Sequence, residues 1–197
     1  MYKGVVFLVF LVTSLLVGGC RTSTEMEGLR ALETGVLSDV KRIYSSKERA
    51  RTRVQVGSAI ELFSFPLNVA VASGHEPVIG YLLEVGADPN SADHVGRTAL
   101  FEISRDLDAQ SVRRIVRMLI SASADPNVAL PVSGSTPLMQ ASMYGDVSLV
   151  RLLIENGAEL ELRDSHGRTA FDQIASCRAV DPEDERVLRE LLTGKNK

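Results

Sequence analysis

The stretch 135–163 contains a complete helix–turn–helix unit, and this unit most constrains what the chain can fold into. Thr136 is placed to cap a helix that starts at Pro137, because the Thr hydroxyl accepts from an unpaired N–H and Pro lacks the N–H that would remain unpaired there. A second helix is predicted over about Val147–Asn156, with a broad apolar face, and Gly157 supplies its left-handed cap. Neither helix buries its apolar face alone, so the unit needs copies on both sides.

Copies of this unit recur at a regular spacing. Equivalent positions are 33 residues (65 to 98), 38 residues (98 to 136) and 33 residues (136 to 169) apart. Three units end in related tripeptides, Gly86-Ala87-Asp88, Ser123-Ala124-Asp125 and Gly157-Ala158-Glu159. A 33-residue period with T-P-L, an internal Gly and a G-A-D ending resembles the ankyrin repeat. The resemblance covers about residues 60–175 and implies an all-α ankyrin-repeat solenoid of about five helix–turn–helix units: three clear repeats, degenerate terminal caps and β-turn hairpin tips.

The N-terminal segment is predicted to be a signal peptide. Lys3 is its only charged residue, and Val5–Val17 forms an apolar run that is too short for a comfortable membrane span. Small residues before Cys20 resemble a bacterial lipobox, in which the signal is cleaved before a Cys that is then lipidated; the alternative is an ordinary signal peptide or an uncleaved anchor. The predicted division is 1–19 signal peptide, 20–27 lipidated tether and 28–194 ankyrin-repeat domain. This places the protein in the bacterial cell envelope, on the outer membrane facing the periplasm if the cell is Gram-negative.

Composition and motifs argue against chemistry. The 22 basic and 25 acidic residues give a net charge of −3, which does not suggest a nucleic-acid footprint. Aromatic residues make up only 5%, which fits close-packed short helices better than an aromatic-lined ligand pocket. The chain contains no nucleophile elbow, zinc-protease motif or phosphate-binding loop, and Cys20 and Cys177 fit neither a disulfide framework nor a metal pair. We therefore expect no enzyme activity, cofactor, metal or small-molecule substrate, and a protein as the partner.

The resemblance also implies where a partner binds. Partners of ankyrin proteins usually meet the hairpin tips and the exposed ends of the first helices, on the concave side. Tips are predicted at Asp93–Gly96 and Asp164–Gly167, because Asp first and Gly fourth is a type I turn pattern. The predicted partner-binding residues are His94, Val95, Arg97, Arg105, Met143, Tyr144, Ser165, His166 and Arg168. Arg97 and Arg168 suit carboxylates on a partner, whereas Tyr144 has the alternative of folding back on its own repeat.

Two irregular segments carry further predictions. Ser123 stands where a left-handed Gly is expected, and RDLDAQS is inserted earlier in the same unit, so this unit is predicted to open most readily. Segment 47–53 is the most basic in the chain. It fits either a solvated loop or extended helix, or a patch that faces anionic headgroups.

Three classes of function remain open at this level. The favoured one is a membrane-anchored protein–protein interaction module. The alternative is an immunity or inhibitory/accessory subunit for a toxin or an envelope enzyme, which uses the same binding chemistry with a regulatory consequence. An enzyme whose site is assembled from scattered residues is the third class.

Overall fold

The computed structural model describes residues 23–55, 63–104, 106–174 and 181–193. Its helices are α1 Ser23–Thr34, α2 Leu37–Ile43, α3 Lys47–Arg51, α4 Pro66–Ser73, α5 Glu76–Glu84, a 3-10 helix Ala99–Glu102, α6 Ala109–Ser121, α7 Pro137–Tyr144, α8 Val147–Glu155, α9 Ala170–Ile174 and α10 Pro182–Leu192. The strands β1 Val54–Gln55 and β2 Phe63–Ser64 form one antiparallel pair. The predicted signal peptide, Cys20, Arg105 and Cys177 lie outside the described residues. Helix α1 begins inside the predicted tether, at Ser23.

The helices form two stacked rows. The first helices of successive units contact one another in the order α1, α4, the 3-10 helix, α7 and α9. The second helices do so in the order α2, α5, α6, α8 and α10. Each first helix also packs against the second helix of its own unit, which buries the apolar faces that neither covers alone. The predicted all-α solenoid of five helix–turn–helix units is confirmed.

The fourth unit forms as its sequence predicts. The hydroxyl of Thr136 accepts from the N–H of Met139 at 3.3 Å, so it caps the first turn of α7. Gly145 ends α7 in the left-handed region, at φ 74°. Asp146 caps α8 by accepting from the N–H of Leu149 at 2.9 Å. These short-range bonds satisfy donors that a helix start leaves without partners.

The third unit departs from the others. Its first helix is a four-residue 3-10 turn, whereas α4 and α7 have eight residues each. The sequence Thr98-Ala99-Leu100 predicts a normal helix start. The prediction is wrong, because the buried hydroxyl of Thr98 has no hydrogen-bond partner among the described residues and only a 3-10 turn follows it. Within the inserted segment, Asp108 caps α6 by accepting from the N–H groups of Gln110 and Ser111, so the last three inserted residues form the first turn of that helix. The insertion removes the Gly that ends a full first helix in neighbouring units.

Side-chain amides link the ends of successive second helices. Ser123 is left-handed as predicted, at φ 68°. Its carbonyl accepts from Nδ2 of Asn90 at 2.8 Å, and Asn90 Oδ1 accepts from the N–H of Asp125 at 2.8 Å. One unit later Asn127 donates in the same way to the carbonyl of Gly157 at 3.1 Å. The left-handed residue therefore turns its carbonyl toward the preceding unit, which gives its backbone conformation a structural role.

The core between the rows follows the predicted helix faces. The repeat register predicts that six apolar residues are buried between the layers, and five of them are: Leu82, Leu119, Val150, Leu152 and Leu153. Leu83 is half-buried, so its predicted burial is wrong. The buried positions of α5 include Val78, Ile79 and Leu82, and Leu83 lies at the edge of that stripe, where it packs against the core but stays partly exposed.

Candidate protein-binding surface

Two of the hairpin tips share one hydrogen-bonded geometry. In the first, Oδ1 of Asp93 accepts from the N–H groups of Val95 and Arg97 at 2.9 and 2.8 Å. The N–H of Gly96 donates to the Asp93 carbonyl at 3.1 Å. Asp164 holds the second tip in the same way, with both side-chain bonds at 2.9 Å. Both predicted turns are confirmed.

The tip between them is built differently. It has no Asp to hold the turn, but it keeps the backbone bond across the base: the N–H of Leu130 donates to the carbonyl of Ser135 at 2.9 Å, as Asp93 and Asp164 donate to Arg97 and Arg168 in the other two tips. The loop is longer and carries Val132 at its end. That side chain is 92% exposed, the highest value among the exposed large apolar residues of the described chain.

The three tips touch one another. A Cβ on Gly96 would lie 2.2 Å from Cδ of Pro131, so the proline ring packs directly against the glycine of the preceding tip. The N–H of Ser165 donates to the carbonyl of Ser133 at 2.8 Å, which joins the middle tip to the last one. We call this continuous border the tip edge: residues 93–97, 130–135 and 164–168.

Most residues predicted to bind a partner lie on this edge. The structure brings together His94, Val95, Arg97, Ser165, His166 and Arg168. His94, Ser165 and His166 are exposed, and Val95 is 49% exposed. Sequence reasoning missed Pro131 and Val132 between them. The signal was present, since an apolar Leu-Pro-Val stands where the neighbouring units place the turn-forming Asp.

The two predicted arginines are already bonded within their own units. Nη2 of Arg97 donates to the Phe101 carbonyl at 3.0 Å, and its buried Nε lies 3.1 Å from Glu102 Oε1 without donating to it. Arg168 donates from Nε to Asp164 Oδ2 at 2.9 Å, with Nη2 2.8 Å from the same oxygen. Each guanidinium stabilises its own turn, so a carboxylate on a partner would have to share it.

Asp164 is the most strongly bonded carboxylate of the edge. Its burial raises the pKa, but bonds from the backbone and side chain of Arg168 and from the His166 N–H outweigh that effect and lower the pKa to about 2. Gln173 adds a fourth donor at 2.9 Å. Because hydrogen bonds to the charged form favour it, Asp164 stays ionised and the turn stays closed near neutral pH.

A cleft opens on the concave side beside the tip edge. It has a volume of about 350 Å³ and lies between the short 3-10 helix and α7. Of the predicted residues at the ends of the first helices, Met143 is half-buried and Tyr144 is 41% exposed and lines the cleft. The ring of Tyr144 is therefore not buried in its own unit. Arg105 lies outside the described residues.

The arginine side chains of the basic stretch 47–53 contact other parts of the protein. Arg49 donates to the last carbonyl of α2 at 3.0 Å, and Arg51 donates to the carbonyl of Gly86, just after α5, at 2.9 Å. The guanidinium of Arg53 lies 6.0 Å from the ring centre of Phe65. Cations at helix C-termini satisfy unpaired carbonyls and complement the helix dipole. The stretch forms α3, and three of its charges stabilise neighbouring elements, which leaves little for a headgroup-facing patch.

The described residues contain neither a metal site nor a membrane-spanning helix. Within the described ranges, no three His, Cys, Asp or Glu side chains lie close enough together to hold a metal ion. In the same part of the chain, no helix is both long enough and apolar enough to cross a membrane.

Comparison with known proteins gives matches over most of the solenoid. Residues 107–197 match the family described as ankyrin repeats (3 copies), and residues 64–94 match that of the single ankyrin repeat. Cyclin-dependent kinase 4 inhibitor B of Homo sapiens is 32% identical over 103 residues, which are 52% of this chain and 71% of that protein.

Two further relatives are covered less completely. Cyclin-dependent kinase inhibitor 2A of Monodelphis domestica is 32% identical over 106 residues, 54% of this chain and 59% of that protein. Ankyrin repeat and SAM domain-containing protein 6 of Rattus norvegicus is 36% identical over 83 residues, 42% of this chain and 9% of that protein. The chain thus spans less than two thirds of the length of either relative. The stacked helix pairs, the joined tips and these matches together show that the chain belongs to the ankyrin-repeat family of protein–protein interaction modules.

Proposed function

We propose that this protein is a non-enzymatic interaction module that binds a partner protein along the tip edge and the adjoining ends of the first helices. The exposure of Val132, at 92%, is the observation that carries the proposal. A large apolar side chain held in water by a well-bonded turn is best explained by a partner that covers it, because apolar patches with polar rims mark protein interaction sites. The exposed Val95, His94 and His166 form the rest of that patch and its rim.

The proposal is tested by placing a photo-crosslinking amino acid at position 132 in the full chain in its host cell. Position 36 is the matched control, since Val36 is also an exposed valine, at 43%, but lies in the first unit. We expect one crosslinked protein from position 132 and none from position 36. With that protein in hand, Val132→Asp should weaken binding by about tenfold or more, as for an apolar residue at an interface centre, while Val36→Asp leaves affinity unchanged. Equal crosslinking at both positions would contradict the assignment.

The lipid anchor is the second element of the proposal. Small residues before Cys20 support cleavage and acylation at that position, and hence attachment to the bacterial cell envelope. Metabolic labelling with a fatty-acid analogue tests this, with Cys20→Ser as the variant and Cys177→Ser as the control that removes the other cysteine. The label should disappear only in Cys20→Ser. Equal labelling of the two variants would end the lipoprotein interpretation.

An inhibitory role is the second candidate, and the relatives favour it. Two of them are named as inhibitors of cyclin-dependent kinases, so this fold serves inhibition in those proteins. In the envelope the equivalent role is an immunity or accessory subunit for a toxin or an enzyme. If the crosslinked partner is an enzyme, its activity should fall on adding stoichiometric protein; unchanged activity at full occupancy identifies a scaffold instead.

A further inference from the structure

The cleft on the concave side exists because one first helix is short. The 3-10 helix of the third unit has four residues, while α4 and α7 on either side have eight. The missing turns leave an opening about 350 Å³ in volume between the third and fourth units. Its polar lining comes from Arg97, Glu102, Ser104, Gln140, Tyr144 and Asp146.

Most of the charged groups that the described residues place in this lining are hydrogen-bond acceptors. Gln140 uses one N–H of its Nε2 to donate to the Phe101 carbonyl at 3.1 Å, which leaves its Oε1 as an acceptor and its second N–H as a donor. Glu102 and Asp146 add two carboxylates. Among the described residues, Arg97 is the one cation of the lining, and it is engaged with the same Phe101 carbonyl at 3.0 Å. The described lining side chains together carry a net charge of −1, from Glu102, Asp146 and Arg97, which favours a ligand that carries donors and a positive charge.

Glu102 is incompletely compensated. Its side chain is 21% exposed, and its burial raises the pKa, with Arg97 opposing that effect. The Nε of Arg97 lies 3.1 Å from Oε1 but does not donate to it. A carboxylate that has lost much of its water without gaining a well-aligned donor is stabilised when a second cation arrives.

An aromatic ring stands beside these carboxylates. Tyr144 is 41% exposed, and both Tyr144 and Asp146 also line a second hollow of about 220 Å³ together with Leu107 and Val112. A cation placed over an aromatic face gains attraction from the ring quadrupole, and guanidinium stacks on such a face while its edge donates to carboxylates.

We propose that this cleft receives an arginine side chain of the partner protein, with the guanidinium donating to Glu102, Asp146 and Gln140 and lying against Tyr144. This inference rests on the proposed binding function and adds a chemical specificity to it. The planar guanidinium has five donors, which suits acceptors that come from two different units, whereas an ammonium has three. The tip edge supplies apolar contact with the partner. The charged cleft fixes the position of the partner along the surface, because only its arginine fits there.

The test uses acetyl-arginine-amide as the probe and the full chain, labelled with 3-fluorotyrosine and held in detergent micelles. The chain has four tyrosines, and Tyr144→Phe assigns the resonance of interest. We expect a saturable shift of that resonance with the arginine probe and none with acetyl-citrulline-amide, which has nearly the same shape but no charge. A shift with both probes, or with neither, would overturn the proposal. Tighter binding of acetyl-lysine-amide would overturn the choice of guanidinium.

Variants locate the effect in the cleft. Glu102→Gln with Asp146→Asn removes both charges but keeps side-chain size, and Asn still caps α8. The control is Glu84→Gln with Glu155→Gln, which removes two exposed charges from second helices. The cleft variant should bind the arginine probe at least about tenfold more weakly and the control as tightly as the original chain. A partner that crosslinks at position 132 and binds the cleft variant undiminished would refute the cleft while leaving the interaction function in place.

Discussion

Replacing Ser123 with Gly should stabilise the protein. Ser123 holds φ 68° at the position where two other units have glycines, Gly86 and Gly157, at φ 91° and 90°. A residue with a Cβ pays about 1–2 kcal/mol for the left-handed conformation. Replacement by glycine removes that cost, but the greater freedom of glycine in the unfolded chain offsets about 0.4–1 kcal/mol of the benefit. The exposed hydroxyl is the only group removed, and the bond from Asn90 to the carbonyl remains.

The middle of these two ranges gives a net stabilisation of about 0.8 kcal/mol, equivalent to a rise in Tm of about 2–3 °C for a domain of this size. Urea unfolding followed by circular dichroism measures it. Gly157→Ser is the matched control, because it makes the reverse change one unit later, where a Cβ would meet no atom within 4 Å. It should destabilise by a similar amount through the backbone alone. A neutral Gly157→Ser, or a Ser123→Gly that unfolds more easily, would refute the reasoning from left-handed strain.

Three further outcomes are expected. Leu152→Ala should lower the free energy of unfolding by about 2–5 kcal/mol because Leu152 is only 4% exposed. A loss below about 0.5 kcal/mol in urea unfolding would contradict this, since it would mean that neighbouring side chains fill the space left by the leucine. Asp164 has a folded pKa of about 2, below its ordinary 3.8, so its stabilising effect is complete above pH 3.8 and fades as the pH falls toward 2. Asp164→Asn should therefore reduce the fall in Tm between pH 3.8 and 2, and an unchanged fall would contradict the assignment. Backbone amides of α6 should exchange with deuterium faster than those of α8, since the third unit has the shortest first helix and the strained Ser123; slower exchange in α6 would contradict the prediction.

Local chemistry made the repeat architecture predictable. Thr136, Gly145 and the Asp of each regular tip act on backbone groups within about four residues, which is the range over which capping and turn geometry operate. The left-handed state of Ser123 was predictable for the same reason, since a helix end needs that conformation whatever residue occupies it. The 33-residue period then required the units to stack, because no unit buries its own apolar face.

Tertiary structure decided which side chains a partner can reach. Arg97 and Arg168 are residues that sequence reasoning assigns to a partner, yet each is bonded to a group of its own unit. Conversely, Val132 gained its exposure from a turn that packs between two neighbouring tips. The arginine bonds each span four residues, whereas the exposure of Val132 depends on contacts between tips about one repeat apart, which are set by stacking rather than by local propensity.

The concave cleft shows the same division. The insertion in the third unit was visible in the sequence, but the reduction of its first helix to four residues was not, because Thr98-Ala99-Leu100 carries the usual signal for a helix start. Which acceptors line the resulting gap depends on how α7 packs against the shortened turn, and that places Gln140 beside the Phe101 carbonyl. The sequence by itself determined the repeat, its turns and its left-handed positions, since these follow from short-range hydrogen bonds. Only the packing between units decided where acceptors converge and which apolar side chain faces water, since those properties arise from residues more than thirty positions apart.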